Sequence, residues 1–329
     1  MAVKFGLLVR TALIGASLAP GILLAQEHLE GPLDTPPAIE FGAAILRDET
    51  KLTREIVEQF PSAVISPYPA NNQVTLHLIL PKDSLGPCPV VILLHYWGAS
   101  DWRAERAAAA KLAEQGIGAA LMALPYHLER TPEGTRSGEL AIQADPHALG
   151  RTMTQAVLDI RRSVDWLEQQ PDVAPDRIGI AGTSLGAVVG SLAFAVEPRL
   201  KAGAFILGGV DLAGILWHSS RVVQEREQLR SLGYTEDRLR AELQQVEPSN
   251  YLERRHAGPA FVVGARYDTV IPRASTDKLL KLLPDAKALW IDTGHYGGAF
   301  LYGRLSREVA QFFAQRSYMV LAVFKSTSV

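Results

Sequence analysis

Residues 177–186 read Arg177-Ile178-Gly179-Ile180-Ala181-Gly182-Thr183-Ser184-Leu185-Gly186, and small apolar residues continue through 185–195. The first five have the composition of a short buried strand, and 185–195 that of a packed helix. A serine on the tight turn between them is pushed out of the backbone with its hydroxyl exposed. Glycines at 182 and 186 leave the room that side chains would deny. Gly-x-Ser-x-Gly also describes a turn that merely packs a helix onto a sheet, so its weight depends on what else the chain supplies.

A serine hydroxyl is a poor nucleophile until a base takes its proton and a third group orients that base. Phe261-Val262-Val263-Gly264-Ala265 reads as a strand, which puts Asp268 on the loop past its carboxyl end. Ala288-Leu289-Trp290-Ile291-Asp292 reads as another, followed by Thr293-Gly294-His295-Tyr296-Gly297. Ser184, Asp268 and His295 thus predict nucleophile, acid and base, each at the end of a strand and in that order. Asp292 is the competing acid, although it lies close to His295 in sequence. Taken singly, Asp268 also reads as a loop-capping aspartate, and His295 as a surface histidine.

On these residues the chain resembles a serine esterase of the α/β-hydrolase superfamily, in its dienelactone-hydrolase-like branch, over roughly residues 72–315. The resemblance rests on the elbow around Ser184, the segment Asp268-Thr269-Val270-Ile271-Pro272 and the Gly294-His295 turn. It implies an α/β-hydrolase fold with the catalytic residues Ser184, Asp268 and His295, and an oxyanion hole whose first donor is the N–H of Leu185. Family members carry His-Gly and then the residue that supplies the second donor. Here Val90-Val91-Ile92-Leu93-Leu94 leads into His95-Tyr96-Trp97-Gly98, with tyrosine where glycine is expected. Aligning His95 and Gly98 makes Trp97 the donor, with Tyr96 as the alternative. The dienelactone hydrolases themselves carry cysteine at the elbow, so Ser184 argues against that activity.

Composition agrees with one large α/β domain: 329 residues, 47% hydrophobic and 21% charged. A net charge of −2 gives no electrostatic case for nucleic acid. The single cysteine, Cys88, sits in Gly86-Pro87-Cys88-Pro89, which reads as a loop with no base nearby. The histidines show no paired spacing with acids of the kind zinc sites use, and the reaction implied needs no cofactor or metal. Lys4 and Arg10 precede an apolar run, 11–25, that ends at Gln26-Glu27. That layout predicts a signal peptide over 1–25, a mature domain over 26–329, a secreted or periplasmic location and no stable membrane anchor after cleavage. An uncleaved anchor is the alternative, and the oligomeric state is left open.

Elsewhere, residues 72–81 alternate as an antiparallel edge strand would, and Met153, Val157, Ile160, Val164 and Leu167 mark an amphipathic helix. Asp159, Arg161 and Arg162 lie off that stripe and read as surface or structural charges. Two insertions border the expected site. One follows a strand and runs from Pro125 through Gly150. The other, 212–251, reads as a small helical lid with two helices, the second starting at Thr235. Tyr96, Trp217, His127 and Tyr296 are the candidate substrate-binding residues, with His127 also readable as a loop histidine. The apolar tail 318–324 reads as a packed terminal strand or turn. These expectations converge on a carboxylesterase, a serine hydrolase acting on small ester molecules with short acyl groups. A serine peptidase of the prolyl-oligopeptidase type, a perhydrolase and a non-catalytic binding protein on the same fold are the rivals.

Overall fold

The computed structural model describes residues 32–82, 84–254 and 258–325, with side chains as far as residue 315. The expected signal segment, 1–25, lies outside the described residues. Among the described residues nine strands form one sheet in the order β1-β2-β3-β5-β4-β6-β7-β8-β9. They are β1 (Ile45–Glu49), β2 (Thr53–Pro61), β3 (Gln73–Pro81), β4 (Cys88–Leu94), β5 (Gly118–Met122), β6 (Val173–Thr183), β7 (Leu200–Ile206), β8 (Ala260–Ala265) and β9 (Lys287–Ile291). From β5 to β9 every pairing is parallel; β1, β2 and β3 run antiparallel and extend the sheet at one side.

The parallel strands are apolar at nearly every position because helices cover both faces. In β4, Val90, Ile92 and Leu94 point into one core and Val91 and Leu93 into the other. The first core is closed by α2 (Pro146–Glu168) and α3 (Leu185–Val196), the second by α1 (Arg103–Ala113) and α9 (Tyr302–Lys325). The stripe of Met153, Val157, Ile160, Val164 and Leu167 is buried on α2, as its spacing predicts. Strand order reverses between β4 and β6. Crevices at such a switch point open beyond the carboxyl ends of the strands, and there the chain places residues 95–98 and Ser184.

Several expectations need correction. Residues 73–81 are an interior strand, since β1 and β2 pair beyond them. The alternation was misleading because Thr75 and His77 are buried, His77 against Glu55 at 2.9 Å. The tail continues α9 as far as Lys325 and is neither strand nor turn. Cys88 begins β4 and is buried.

Between β7 and β8 the described residues form four α-helices, not two: α4 (Leu212–His218), α5 (Val223–Ser231), α6 (Glu236–Leu243) and α7 (Pro248–Leu252). Thr235 caps α6, accepting from the Arg238 N–H at 3.2 Å. Helix α8 (Arg273–Leu282) lies between β8 and β9.

Asp159 is not a surface charge. It is fully buried beside Arg130, Nη2 to Oδ2 2.8 Å, and accepts from the Ser62 hydroxyl and the Ala63 N–H at 2.8 and 3.0 Å. Arg130 also donates to the carbonyls of Asn71 and Ala123. This pair ties the insertion after β5 to α2. Asp159→Asn should therefore destabilise the fold by about 3–5 kcal/mol, because it leaves a buried guanidinium without its counter-charge. Urea denaturation measures this, and a loss below about 1 kcal/mol would show the pair to be dispensable.

Candidate active site

Ser184 sits between β6 and α3 with φ 55° and ψ −113°, a conformation residues other than glycine seldom adopt. The Ser184 N–H donates to the Ile206 carbonyl of β7 at 2.8 Å, which holds the turn in place. A Cβ on Gly182 would come within 2.2 Å of the Gly186 carbonyl oxygen, and one on Gly186 within 2.5 Å of the carbonyls of Leu94 and His95. Both glycines are thus demanded by backbone approaching backbone. The turn lifts the hydroxyl to the mouth of a cavity.

There Ser184 Oγ lies 2.9 Å from His295 Nε2, and His295 Nδ1 lies 2.8 Å from Asp268 Oδ2. Asp268 Oδ1 accepts the N–H groups of Val270 and Ile271 at 2.9 and 2.8 Å, so the acid also folds its own loop. With Oδ1 so engaged, Oδ2 accepts the proton on Nδ1, and Nε2 faces the serine hydroxyl with its lone pair. Asp292 takes no part in this hydrogen-bond relay. Its side chain is 78% exposed and pairs with Arg266 at 2.7 Å.

After β4 the chain passes over the elbow. His95 is fully buried; its Nδ1 donates to the Tyr96 carbonyl at 2.8 Å and its Nε2 accepts the Leu124 N–H at 3.0 Å. Both ring nitrogens are spent on backbone, so His95 is a strut and not a proton carrier. The Trp97 indole donates to the Gly138 carbonyl at 2.8 Å. Among the described residues, the N–H groups of Leu185, Tyr96 and Trp97 meet no acceptor.

The cavity beside Ser184 has a volume of about 540 Å³. Tyr96, Trp97, Leu185, His295 and Tyr296 line its mouth, and its interior includes Leu149, Met153, Val188, Leu212 and Leu216. Two of the expected substrate contacts are absent from it. His127 is fully buried behind the site, its ring 4.7 Å from that of His95 and its Nδ1 donating to the Pro125 carbonyl at 2.9 Å. Trp217 packs against the core beneath Arg230. Both were placed near the site by position in sequence, which does not say which way a ring turns.

The sequence pattern of the dienelactone hydrolase family matches residues 75–299, well over half the chain and including Ser184, Asp268 and His295. The chain belongs to the dienelactone hydrolase family. YtaP of Bacillus subtilis (strain 168), provisionally named a hydrolase, is 24% identical over 172 residues, half of this chain; the match spans 58% of that relative's length. Two solved structures share the fold. Acetyl xylan esterase 1 from a Thermoanaerobacterium species has a TM-score of 0.63 at 16% identity, covering 86% of this chain and 90% of its own. An acetyl xylan esterase from a Paenibacillus species has a TM-score of 0.60 at 15% identity, covering 82% and 88%.

Within this family frame, one residue lining the cavity and one buried carboxyl were not singled out by sequence. Arg221 lines the cavity mouth, yet in the sequence it registers only as one charge of the 212–251 insertion. Glu105, in the first turn of α1, is buried, and among the described residues its Oε2 has no hydrogen-bond partner. Burial pushes its carboxyl up to about 7. Burial also brings His95 down to about 3 and His127 down to about 4. For Glu55 and Glu129 burial pulls upward but is outweighed. Bonds from Arg106 and His77 hold Glu55 at about 2, and bonds from His77 and Trp102 do the same for Glu129.

These groups set how stability responds to acid. The two histidines fold neutral but protonate near 6.5 when unfolded, so their contribution is present above that pH and is lost as pH falls. Glu105 has the opposite sign, being protonated in the fold and ionised in the unfolded chain between about 4.5 and 7. The net difference is about one proton between pH 6.5 and 4.5, or about 1.4 kcal/mol lost per unit. Below the usual carboxylate range Glu55 and Glu129 add to the loss and Glu105 no longer opposes it. Unfolding free energy from urea titrations should therefore decline gently to about pH 4.5 and several times more steeply below. A flat profile from pH 6.5 to 4.5 would contradict the buried neutral histidines.

Proposed function

We propose that this protein is a carboxylic-ester hydrolase working through an acyl-enzyme. The observation that carries this reading is the unbroken chain of hydrogen bonds from Ser184 through His295 to Asp268 at the mouth of an apolar cavity. Ser184 Oγ attacks the ester carbonyl as its proton passes to His295 Nε2, and Asp268 holds the imidazole and stabilises its charged form. The collapsing intermediate breaks the bond to the alcohol, which leaves with the proton from Nε2. Water then repeats the steps, its proton going to His295 and its oxygen to the acyl carbon.

Leu185 and Trp97 are proposed as the oxyanion donors. The peptide unit between residues 96 and 97 is planar and trans, so its C=O and N–H point in opposite directions. His95 Nδ1 draws the Tyr96 carbonyl toward the buried side, which favours an outward Trp97 N–H over that of Tyr96. Two preorganised amides each contribute a few kcal/mol to an oxyanion transition state. The acetyl xylan esterase neighbours are compatible with ester chemistry.

Short acyl groups, acetyl to butyryl, remain the proposed preference because rings crowd the mouth. Tyr96 and Tyr296, 38% and 59% exposed, stand on either side of it. The 212–251 helices carry Arg221, Glu225, Arg226, Glu227 and Arg230, a surface too charged for docking on oil, and we propose them as a lid over a soluble substrate. The roomy apolar interior favours the second reading, a bulkier acyl group, since each buried methylene adds about 0.8 kcal/mol. The charged start and apolar run of residues 1–25 support export, with secretion or a periplasmic location as the proposal.

Ser184→Ala should lower ester hydrolysis by about 10³-fold or more, and a fluorophosphonate should label Ser184 alone. Retained activity would remove the nucleophile assignment, and hydrolysis of peptide amides in preference to esters would favour the peptidase. Asp268→Asn should cost at least about 10²-fold in kcat, and Asp292→Asn should cost little. The reverse ranking would move the acid. Comparing kcat/KM for p-nitrophenyl acetate, butyrate and palmitate separates the two acyl readings, a maximum at palmitate deciding for the bulky one.

A further inference from the structure

One dipeptide outside the three loops of the site touches all of them. Ser220-Arg221 joins α4 to α5. The Ser220 N–H donates to the Thr269 carbonyl at 2.7 Å and its hydroxyl to Thr269 Oγ1 at 2.9 Å, next to the acid Asp268. The Arg221 guanidinium lies over the Trp97 ring at 4.8 Å and the Tyr296 ring at 5.9 Å. Its Nη1 donates to the Tyr296 hydroxyl at 3.1 Å, one residue from the base His295. Among the described residues no carboxylate pairs with Arg221, so its partners are the two rings and the phenol.

Trp97 is therefore gripped from two sides, by the Gly138 carbonyl at its indole nitrogen and by the guanidinium on its face. The backbone of that residue carries the proposed oxyanion donor. An arginine suits this position better than a lysine, because a planar fork can stack on one ring and donate along its edge to another. Resting on the esterase reading above, we propose that Arg221 is a positioning residue that holds the Trp97 N–H and His295 in register with Ser184. Ser220 fixes the root of the clamp to the Asp268 loop. Oxyanion donors and bases act only within a narrow geometry, and small displacements from remote changes cost rate and not binding.

The test compares Arg221→Ala, Arg221→Lys, Tyr296→Phe and the Ala/Phe double variant on p-nitrophenyl butyrate. Arg221→Ala should lower kcat about tenfold or more while KM stays within about threefold. Phosphonylation of Ser184 by a fluorophosphonate should slow in parallel, since it uses the same oxyanion hole. Arg221→Lys should fall between, Tyr296→Phe should lose less than Arg221→Ala, and the double variant should be no slower than Arg221→Ala alone. An unchanged kcat overturns the proposal, as does a rise in KM with kcat intact, which would make Arg221 a substrate contact. If Arg221→Ala lowers Tm, Tyr296→Phe decides, because it deletes one hydrogen bond, and an unchanged kcat there overturns the proposal. Activity surviving Ser184→Ala would instead defeat the esterase reading, a separate result.

Discussion

The close approach of backbone to backbone at the elbow is the constraint on which the rest of the structure depends. Gly182 and Gly186 let α3 start against the ends of β4 and β6, and Ser184 takes up the remaining turn in a strained conformation. Such a residue costs on the order of 1–3 kcal/mol and persists only where its surroundings over-determine it. Here the surroundings are a bond to β7 and a helix buried along most of its length. The strain serves to point one hydroxyl away from the backbone, toward a histidine brought in by a strand two places farther along the sheet than β7.

A second layer of order comes from buried polar groups. Arg130 and Asp159 are fully buried and satisfied by one another, by a hydroxyl and by backbone. They anchor the loop whose Gly138 carbonyl holds Trp97 and whose His127 ring supports His95. Unpaired, any of these charges would cost more than the loop could gain by folding, so the network is stable only when complete. The 95–98 loop is consequently held by side chains from several elements, not by regular secondary structure.

The cavity combines the two layers. Its interior is drawn from α2, α3 and α4, elements that also build the larger core, so the space beside Ser184 continues the packing of that core. Low polarity there strengthens the few polar groups that remain at the mouth. Among the described residues the arginine at the mouth has aromatic partners and no acid, so none of them neutralises its charge.

The sequence by itself determined the parallel sheet, the elbow, and the order of serine, acid and histidine after successive strands. Those features are local: apolar runs of strand length, glycine at a turn and polar residues just beyond strand ends are written within short windows. Helix α2 was legible for the same reason, its apolar residues keeping a period near 3.6. The sequence favoured Asp268 over Asp292 by position, and only the tertiary structure shows which carboxylate faces Nδ1: Asp268 does, and Asp292 pairs with Arg266. It also decided that Asp159 is buried, that His127 supports His95 while Tyr296 borders the cavity, and that β3 lies inside the sheet. Arg221 belongs to the same group. Its meaning comes from Trp97, Thr269 and Tyr296, which meet its segment only because strands far apart in sequence end at one edge of a shared sheet.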